Sequence, residues 1–277
     1  MARPVDPDDD TRGIVDPAAG FERFTLTRHE PAPALAWAVD RYWVVAWDVG
    51  PEAPHHQRVV PHPAFHLVFE DGRAEIQAIT PDEFVRRLDG RGQVLGVKFR
   101  PAGFRPWLGR PAASLAGQRV PGREVFGPGV DDLAAELAAL AAAGADLGGT
   151  AGRVDALLAG LGVGPLALTG PVNALVDHVA GDRSVTRVGA LAARLEVPTR
   201  RLQRLFADHV GMGPKWVINR FRIHEAAERA AAGPVDWAAL AADLGFSDQS
   251  HLVREFTAAV GTPPGRYARR VGGRRPG

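Results

Sequence analysis

The chain has 277 residues, enough for two domains of ordinary size, and its 45% hydrophobic and 23% charged composition suits a soluble globular protein. It contains no cysteine, which excludes disulfides, zinc–thiolate sites and cysteine nucleophiles and fits a reducing cytoplasm. The net charge of +1 hides an asymmetry: from Leu166 onward there are 16 Lys+Arg against 10 Asp+Glu, leaving 17 against 22 for the rest. A basic C-terminal part beside an acidic remainder points to a nucleic-acid module joined to a domain that does not bind nucleic acid; a merely solvated charged face is the plain alternative.

Taken in order, residues 1–20 are rich in Pro and Asp, carry no export signature, and are expected to be disordered. From Phe21 to about Pro128 the pattern is one of short strands, over Phe21–Thr27, Tyr42–Val49, Phe65–Glu70, Ala74–Ile79 and Val94–Phe99, separated by Gly, Pro and Asp. Pro81–Leu88 reads as a short helix. Such spacing predicts a small barrel or sandwich within a domain spanning 21–164. His55, His56, His62 and His66 cluster here, and His62-x3-His66-x3-Glu70 echoes the two-His, one-Glu spacing of metal-binding cupins. Residues i and i+4 of a strand share a face, but Pro63 and its turn argue against a ligand set, so no metal and no cofactor are expected. The loop Phe99–Trp107 holds Arg100, Arg105 and three aromatics. It can close over an anionic or aromatic effector, or its aromatics can plug the end of the barrel; the second reading is preferred. Trp43, His62, His66, Arg100 and Arg105 are the candidate effector contacts.

Residues 130–161 turn Ala- and Leu-rich. Leu133, Leu137 and Leu140 form one helical stripe, and Val154, Leu157, Leu158 and Leu161 a second, both suited to packing on the strands or on a second subunit. Gly162-Val163-Gly164-Pro165 is the expected domain boundary.

The remainder, 166–270, reads as all helical, with 271–277 as a basic tail. Val172–Val179 is a lead-in helix. Ser184 is placed to cap a helix carrying Val188, Leu191, Ala192 and Leu195, Glu196-Val197 turns, and Thr199–Val210 follows with Leu202, Leu205 and Phe206 inward. Its outer face holds Arg200, Gln203, Arg204 and Ala207, with Arg201 at the edge. A long helix opens at Gly213-Pro214-Lys215 and runs to Ala232, with Asn219, Arg220 and Arg222 on polar edges. Asp236 then caps a short helix bearing Trp237, Leu240, Ala241 and Leu244, which Gly245 ends. Ser247 is placed to cap the next, which buries Leu252, Phe256, Ala259 and Val260 and presents Gln249, Ser250, Val253, Arg254 and Thr257 before Gly261 closes it. Two short helices, a tight glycine turn and a donor-rich face describe a helix-turn-helix; an ordinary packed helical pair is the plain alternative.

The detail is dense enough to carry a resemblance. Gly245-Phe246-Ser247-Asp248-Gln249-Ser250-His251-Leu252, Arg254-Glu255-Phe256, Gly261-Thr262-Pro263-Pro264 and Tyr267 resemble the C-terminal signature of AraC/XylS-type transcription regulators, and Leu202-Gln203-Arg204-Leu205-Phe206 resembles their first recognition helix. Pro198 stands where that family often has a Ser cap. Upstream, Arg41-Tyr42-Trp43-Val44-Val45 with Trp47, Pro61-His62-Pro63 with His66-Leu67-Val68-Phe69, and Gly96-Val97-Lys98-Phe99-Arg100-Pro101 with Gly103-Phe104 resemble an N-terminal domain of some such regulators, and more loosely a cupin-like sensor barrel. The resemblance implies an α+β multidomain protein: a mostly-β cupin-like barrel or sandwich with flanking helices, then two helix-turn-helix units joined by a linker helix. It implies a regulator rather than an enzyme. Double-stranded DNA is the expected partner, read by Arg200, Arg201, Gln203 and Arg204 in one groove segment and by Gln249, Ser250 and Arg254 in the next, with His251, Lys215 and Arg222 on the backbone. A small-molecule effector, RNA polymerase and a second copy of the chain are candidate partners, a membrane is not, and the location is cytoplasmic. A metal-binding cupin or enzyme fused to a DNA module, and an interaction module that never meets DNA, are the alternatives.

Overall fold

A computed structural model describes residues 3–5, 11–50, 54–81 and 83–272. The first part runs β1 (Arg3–Pro4), α1 (Pro17–Phe21), β2 (Phe24–His29), β3 (Val39–Val49), β4 (His55–Val59), β5 (His66–Glu70), β6 (Arg73–Gln77), β7 (Phe84–Leu88), β8 (Gly90–Phe99), α2 (Arg105–Leu108), β9 (Arg119–Pro121), α3 (Arg123–Phe126), α4 (Gly129–Ala142) and α5 (Ala151–Gly160). The second is helical: α6 (Thr169–Gly181), α7 (Val188–Arg194), α8 (Thr199–His209), α9 (Pro214–Ala232), α10 (Trp237–Asp243), α11 (Gln249–Val260) and α12 (Pro264–Gly272).

Seven strands form one antiparallel sheet in the order β1-β2-β3-β8-β5-β6-β9, and β4 pairs with β7 in a second, two-stranded sheet, with Val59 of β4 also bridged to Ile14. The large sheet ends at β1 and β9, so the domain is an open, sandwich-like arrangement and not a closed barrel. On one face α4 packs against β5 and β6, burying Leu133 and Leu137. The small sheet covers the other face. Gly92 and Gly96 on β8 have a steric reason to be glycine: a Cβ would fall 2.3 Å from the Trp47 indole and 2.1 Å from that of Trp43, which lie across the strand.

Some expectations are corrected. Pro81–Leu88 holds a strand, because Phe84, Arg86 and Leu88 alternate with the exposed Val85 and Arg87, a period of two. Its partner β4 escaped notice, since His55-His56-Gln57-Arg58 lacks the usual strand residues. The disorder expected over 1–20 is not found where residues are described. Asp16 caps α1, Val15 is buried, and β1 pairs with β2; residues 1–2 and 6–10 lie outside the described residues. Arg274 and Arg275 of the expected basic tail lie outside them too. The loop Phe99–Trp107 plugs: Phe104 stacks on Phe65 at 4.6 Å and meets Phe99 at 5.3 Å, and Trp107 stacks on Trp37 at 5.2 Å.

The halves are joined by a continuous apolar core that runs from the β domain into Val172, Val176, Leu202, Phe206, Val217 and Ile218. A second core holds the C-terminal half of α9, with Ile223, Ala226 and Ala230, together with α10, α11 and Tyr267 of α12. The linker helix therefore begins in one core and ends in the other.

Candidate nucleic-acid interface

The first helix-turn-helix is α7, a turn with Glu196 at φ 53°, and α8. Ser184 does not cap α7. Arg187 occupies that position, while the Ser184 amide and hydroxyl donate to Asp182 at 2.9 and 2.6 Å. With Arg194 donating as well, these bonds hold the Asp182 carboxyl down at about 2. Pro198 begins α8 without a side-chain cap, leaving the first amides of the helix open. Leu202 and Phe206 face inward; Arg200, Arg201, Gln203 and Arg204 are exposed. None of these four makes a hydrogen bond or ion pair among the described residues, so three guanidinium groups and an amide project from one face. Gly211, at φ 91°, ends the helix against the Phe65 ring.

The second unit is α10, a turn and α11. Asp236 caps α10 as expected, accepting from the amides of Ala238 and Ala239 at 2.9 and 3.1 Å. The cap of α11 is Asp248 rather than Ser247. Its carboxylate accepts from the His251 amide at 2.8 Å, and Ser247 adds a hydroxyl bond to it at 3.2 Å. A carboxylate serves there better than a hydroxyl because it also meets the positive end of the helix dipole. Gly245 has φ 68°, and a Cβ would fall 2.7 Å from Thr186, so this turn presses against the loop before α7. Gln249, Ser250 and Arg254 are exposed and make no side-chain bond among the described residues. His251 is half-buried, edge-on to Phe246 at 5.3 Å and 3.1 Å from the Ser247 hydroxyl, which makes it part of the turn.

On α9, Lys215 is exposed at the N-terminal end, but Arg222, expected on the DNA backbone, is buried. It lies 3.8 Å over the Phe246 ring and donates to Asn219 at 3.0 Å; burial, partly opposed by Glu255, brings it down to about 10. Its position on the inner side of α9 makes it a strut for the second turn. Arg220 likewise points inward, donating to the Pro81 carbonyl at 2.9 Å over the Trp216 ring.

The expected effector contacts divide. Trp43, His62 and His66 line a cavity of about 490 Å³ between the two sheets. Trp43 donates to His66 Nδ1 at 3.2 Å. Burial first, then Lys98, lowers His66 to about 3 and depresses His62 as well. Arg100 and Arg105 do not face the cavity. They pair with Asp177 of α6 at 2.6 Å and Asp208 of α8 at 3.0 Å, pinning the first helix-turn-helix to the β domain. Glu70 pairs with Arg86, and no group of three His, Cys, Asp or Glu among the described residues could hold a metal. Sequence reasoning missed Arg41 and Lys98, which line the cavity; the place of Lys98 between Val97 and Phe99 on β8 was the available signal.

Residues 191–270 match the family described as "Helix-turn-helix domain", and residues 27–121 match "Domain of unknown function (DUF6597)". The HTH-type transcriptional activator RhaS of Pectobacterium carotovorum is 36% identical over 76 residues, which are 27% of each chain. The HTH-type transcriptional regulator Rv1931c of Mycobacterium tuberculosis is 37% identical over 82 residues, 29% of this chain and 31% of its own. The chain thus spans less than a third of the length of these curated relatives. Among solved structures, ToxT from Vibrio cholerae aligns over 91% of this chain and 99% of its own at 10% identity and a TM-score of 0.36. The C-terminal domain of AraT from Geobacillus stearothermophilus aligns over 38% and 88% at 20% identity and a TM-score of 0.34. No helix among the described residues is long and apolar enough to cross a membrane. The C-terminal part of this chain is therefore a helix-turn-helix domain of the AraC type, carried behind a β-rich domain of a family without assigned function.

Proposed function

We propose that the chain is a transcription regulator that reads two successive major-groove segments of duplex DNA with α8 and α11. The observation that carries this reading is the α8 face, where Arg200, Arg201, Gln203 and Arg204 stand exposed and unpaired among the described residues. Arginine and glutamine form bidentate bonds to guanine and adenine edges, and an uncapped helix start offers amides to phosphate. Two such helices on one chain suit segments about 34 Å apart, one turn of duplex. Gln249, Ser250 and Arg254 take the second segment, while Lys215 and the turn built on His251 set the register on the backbone.

On this reading the protein works in the cytoplasm, where its DNA is, and no residue is given a catalytic task. The β domain is the sensor, with its cavity as the effector site. RNA polymerase and a second copy of the chain are the protein partners that a regulator of this type would meet.

Measuring affinity for a random duplex at two salt concentrations tests the reading. Phosphate contacts release counterions, so with six to ten of them affinity should fall roughly 10³–10⁵-fold between about 50 and 200 mM salt. A flat salt response would show that the chain does not bind DNA through this face.

A further inference from the structure

The cavity between the two sheets has its own chemical polarity. Its volume of about 490 Å³ lies in the range of pockets that hold a small organic molecule, roughly 300–1,000 Å³. The strand register grades the floor. At one end Arg41 of β3 stands beside Lys98 of β8, which stands beside His66 of β5. Two residues further along, Trp43 faces Arg28 of β2; two further again, Val45 faces Leu26 and Val94. The far end closes with Phe24 and Leu88, part of a separate apolar cluster. One end is thus cationic and the other a hydrocarbon wall.

The cationic end is built. A bulge in β3 between Val39 and Arg41 brings the Asp40 carboxylate to 2.8 Å from Arg41 Nε and 3.1 Å from Lys98 Nζ, which fixes both cations in place. Burial pushes the Asp40 carboxyl up, but Lys98 and Arg41 outweigh it and hold it below its usual range. Since His66 Nδ1 accepts from Trp43, its proton is on Nε2, a neutral donor in the same row. Among the described lining residues six are Arg or Lys and two are Glu, and both of those Glu are engaged, Glu70 by Arg86 and Glu83 by Arg58. A cationic ligand would meet like charge, and a sugar would find few open hydrogen-bonding groups at the apolar end, where Gln57 is already bonded to His55, Val15 and Arg58.

We propose that this cavity binds an amphipathic organic anion, with a carboxylate at Arg41 and Lys98 and an apolar body lying toward Leu26, Val45 and Leu88. That such an anion would act as an effector rests on the regulator reading above; its binding does not, and is measured without DNA.

The test is calorimetric titration of the full chain with decanoate, with naphthalene-2-carboxylate and with their neutral amides. Saturable one-to-one binding of at least one carboxylate is expected, with its amide weaker by about tenfold or more, the size of a hydrogen-bonded charge in a half-buried site. Lys98→Gln should remove most of that difference and leave amide affinity unchanged. If neither carboxylate binds saturably, or if acid and amide bind equally, the proposal is wrong. If Lys98→Gln does not fold, the acid–amide comparison on the unaltered protein decides. A chain that binds the carboxylate but shows no salt-dependent DNA affinity would keep this site and overturn the regulator reading.

Discussion

The two helix-turn-helix units share a local grammar and differ in how they are held. Each has an apolar stripe, a left-handed glycine after its second helix and donors on the outer face. The first is continuous with the β domain: Leu202 and Phe206 belong to the large core, Asn173 of α6 bonds the Ala102 amide at 2.8 Å and the Trp37 carbonyl at 3.1 Å, and Arg100 and Arg105 pin α6 and α8. The second has its own core, to which the β domain's edge gives only Val15 and Val60. Its other ties are polar. Arg12 pairs with Glu228 of α9 at 2.5 and 2.9 Å, and Arg58 of β4 donates to the Gly261 carbonyl and Thr262 hydroxyl, both at 3.2 Å. One motif is thus embedded and the other latched. The apolar attachment is the expensive one to undo, so the second unit is the one that can change position without opening the main core.

Hollowing each core in turn should separate the two units by the largest effect. Phe206→Ala and Phe256→Ala each remove a fully buried ring and should cost about 3–5 kcal/mol. The first should lower hydrogen-exchange protection in β5, β8 and α8 together, the second in α10–α12 alone. Equal spread from both would remove the distinction.

Acid should act in the same order. His62 and His224 stack at 4.5 Å where the β domain meets the linker helix, and both are held neutral by burial; His224 lies at about 3. The unfolded chain takes up their protons below about pH 6.5 while the folded chain does not. Stability is therefore intact above that pH and falls as pH drops toward 3, by up to about 1.4 kcal/mol per pH unit for each such histidine. Denaturant melts across that window should show the slope, and His224→Phe should flatten it. Exchange protection should be lost first in α9–α12.

At the DNA, Arg204→Ala should lower specific affinity by about 1–3 kcal/mol and relax one base position. Arg254→Ala should weaken all sequences more evenly if α11 mainly anchors. The smallest effect belongs to the latch: Arg58 is half-exposed, so Arg58→Ala should cost about 0.2–1 kcal/mol, seen as faster exchange in α12 with an unchanged β domain.

The legible and illegible parts divide for physical reasons. Helical stripes such as Leu202/Leu205/Phe206 and glycine stops such as Gly245 and Gly261 are local, and they fell where periodicity put them. The outer donors of α8 follow directly from the buried stripe. What failed depended on the chain's distant parts. Arg222 reads as a basic edge until Phe246 is folded over it. Arg100 and Arg105 read as a ligand clamp until α6 and α8 bring Asp177 and Asp208 to them. Strand β4 became visible only through its pairing with β7. The cavity's polarity is a matter of register between β2, β3, β8 and β5, which no single strand states.

We propose further that α8, with its three guanidinium groups, carries more of the sequence choice than α11. Selection of sites from a random duplex pool, run in parallel with the unaltered protein, Arg204→Ala and Arg254→Ala, separates the two helices' roles. The expected motif has two blocks about one helical turn apart, with Arg204→Ala blurring a single position in one block and Arg254→Ala leaving the motif intact at lower yield. An unchanged motif from Arg204→Ala, or specificity lost at one base only with Arg254→Ala, would contradict it.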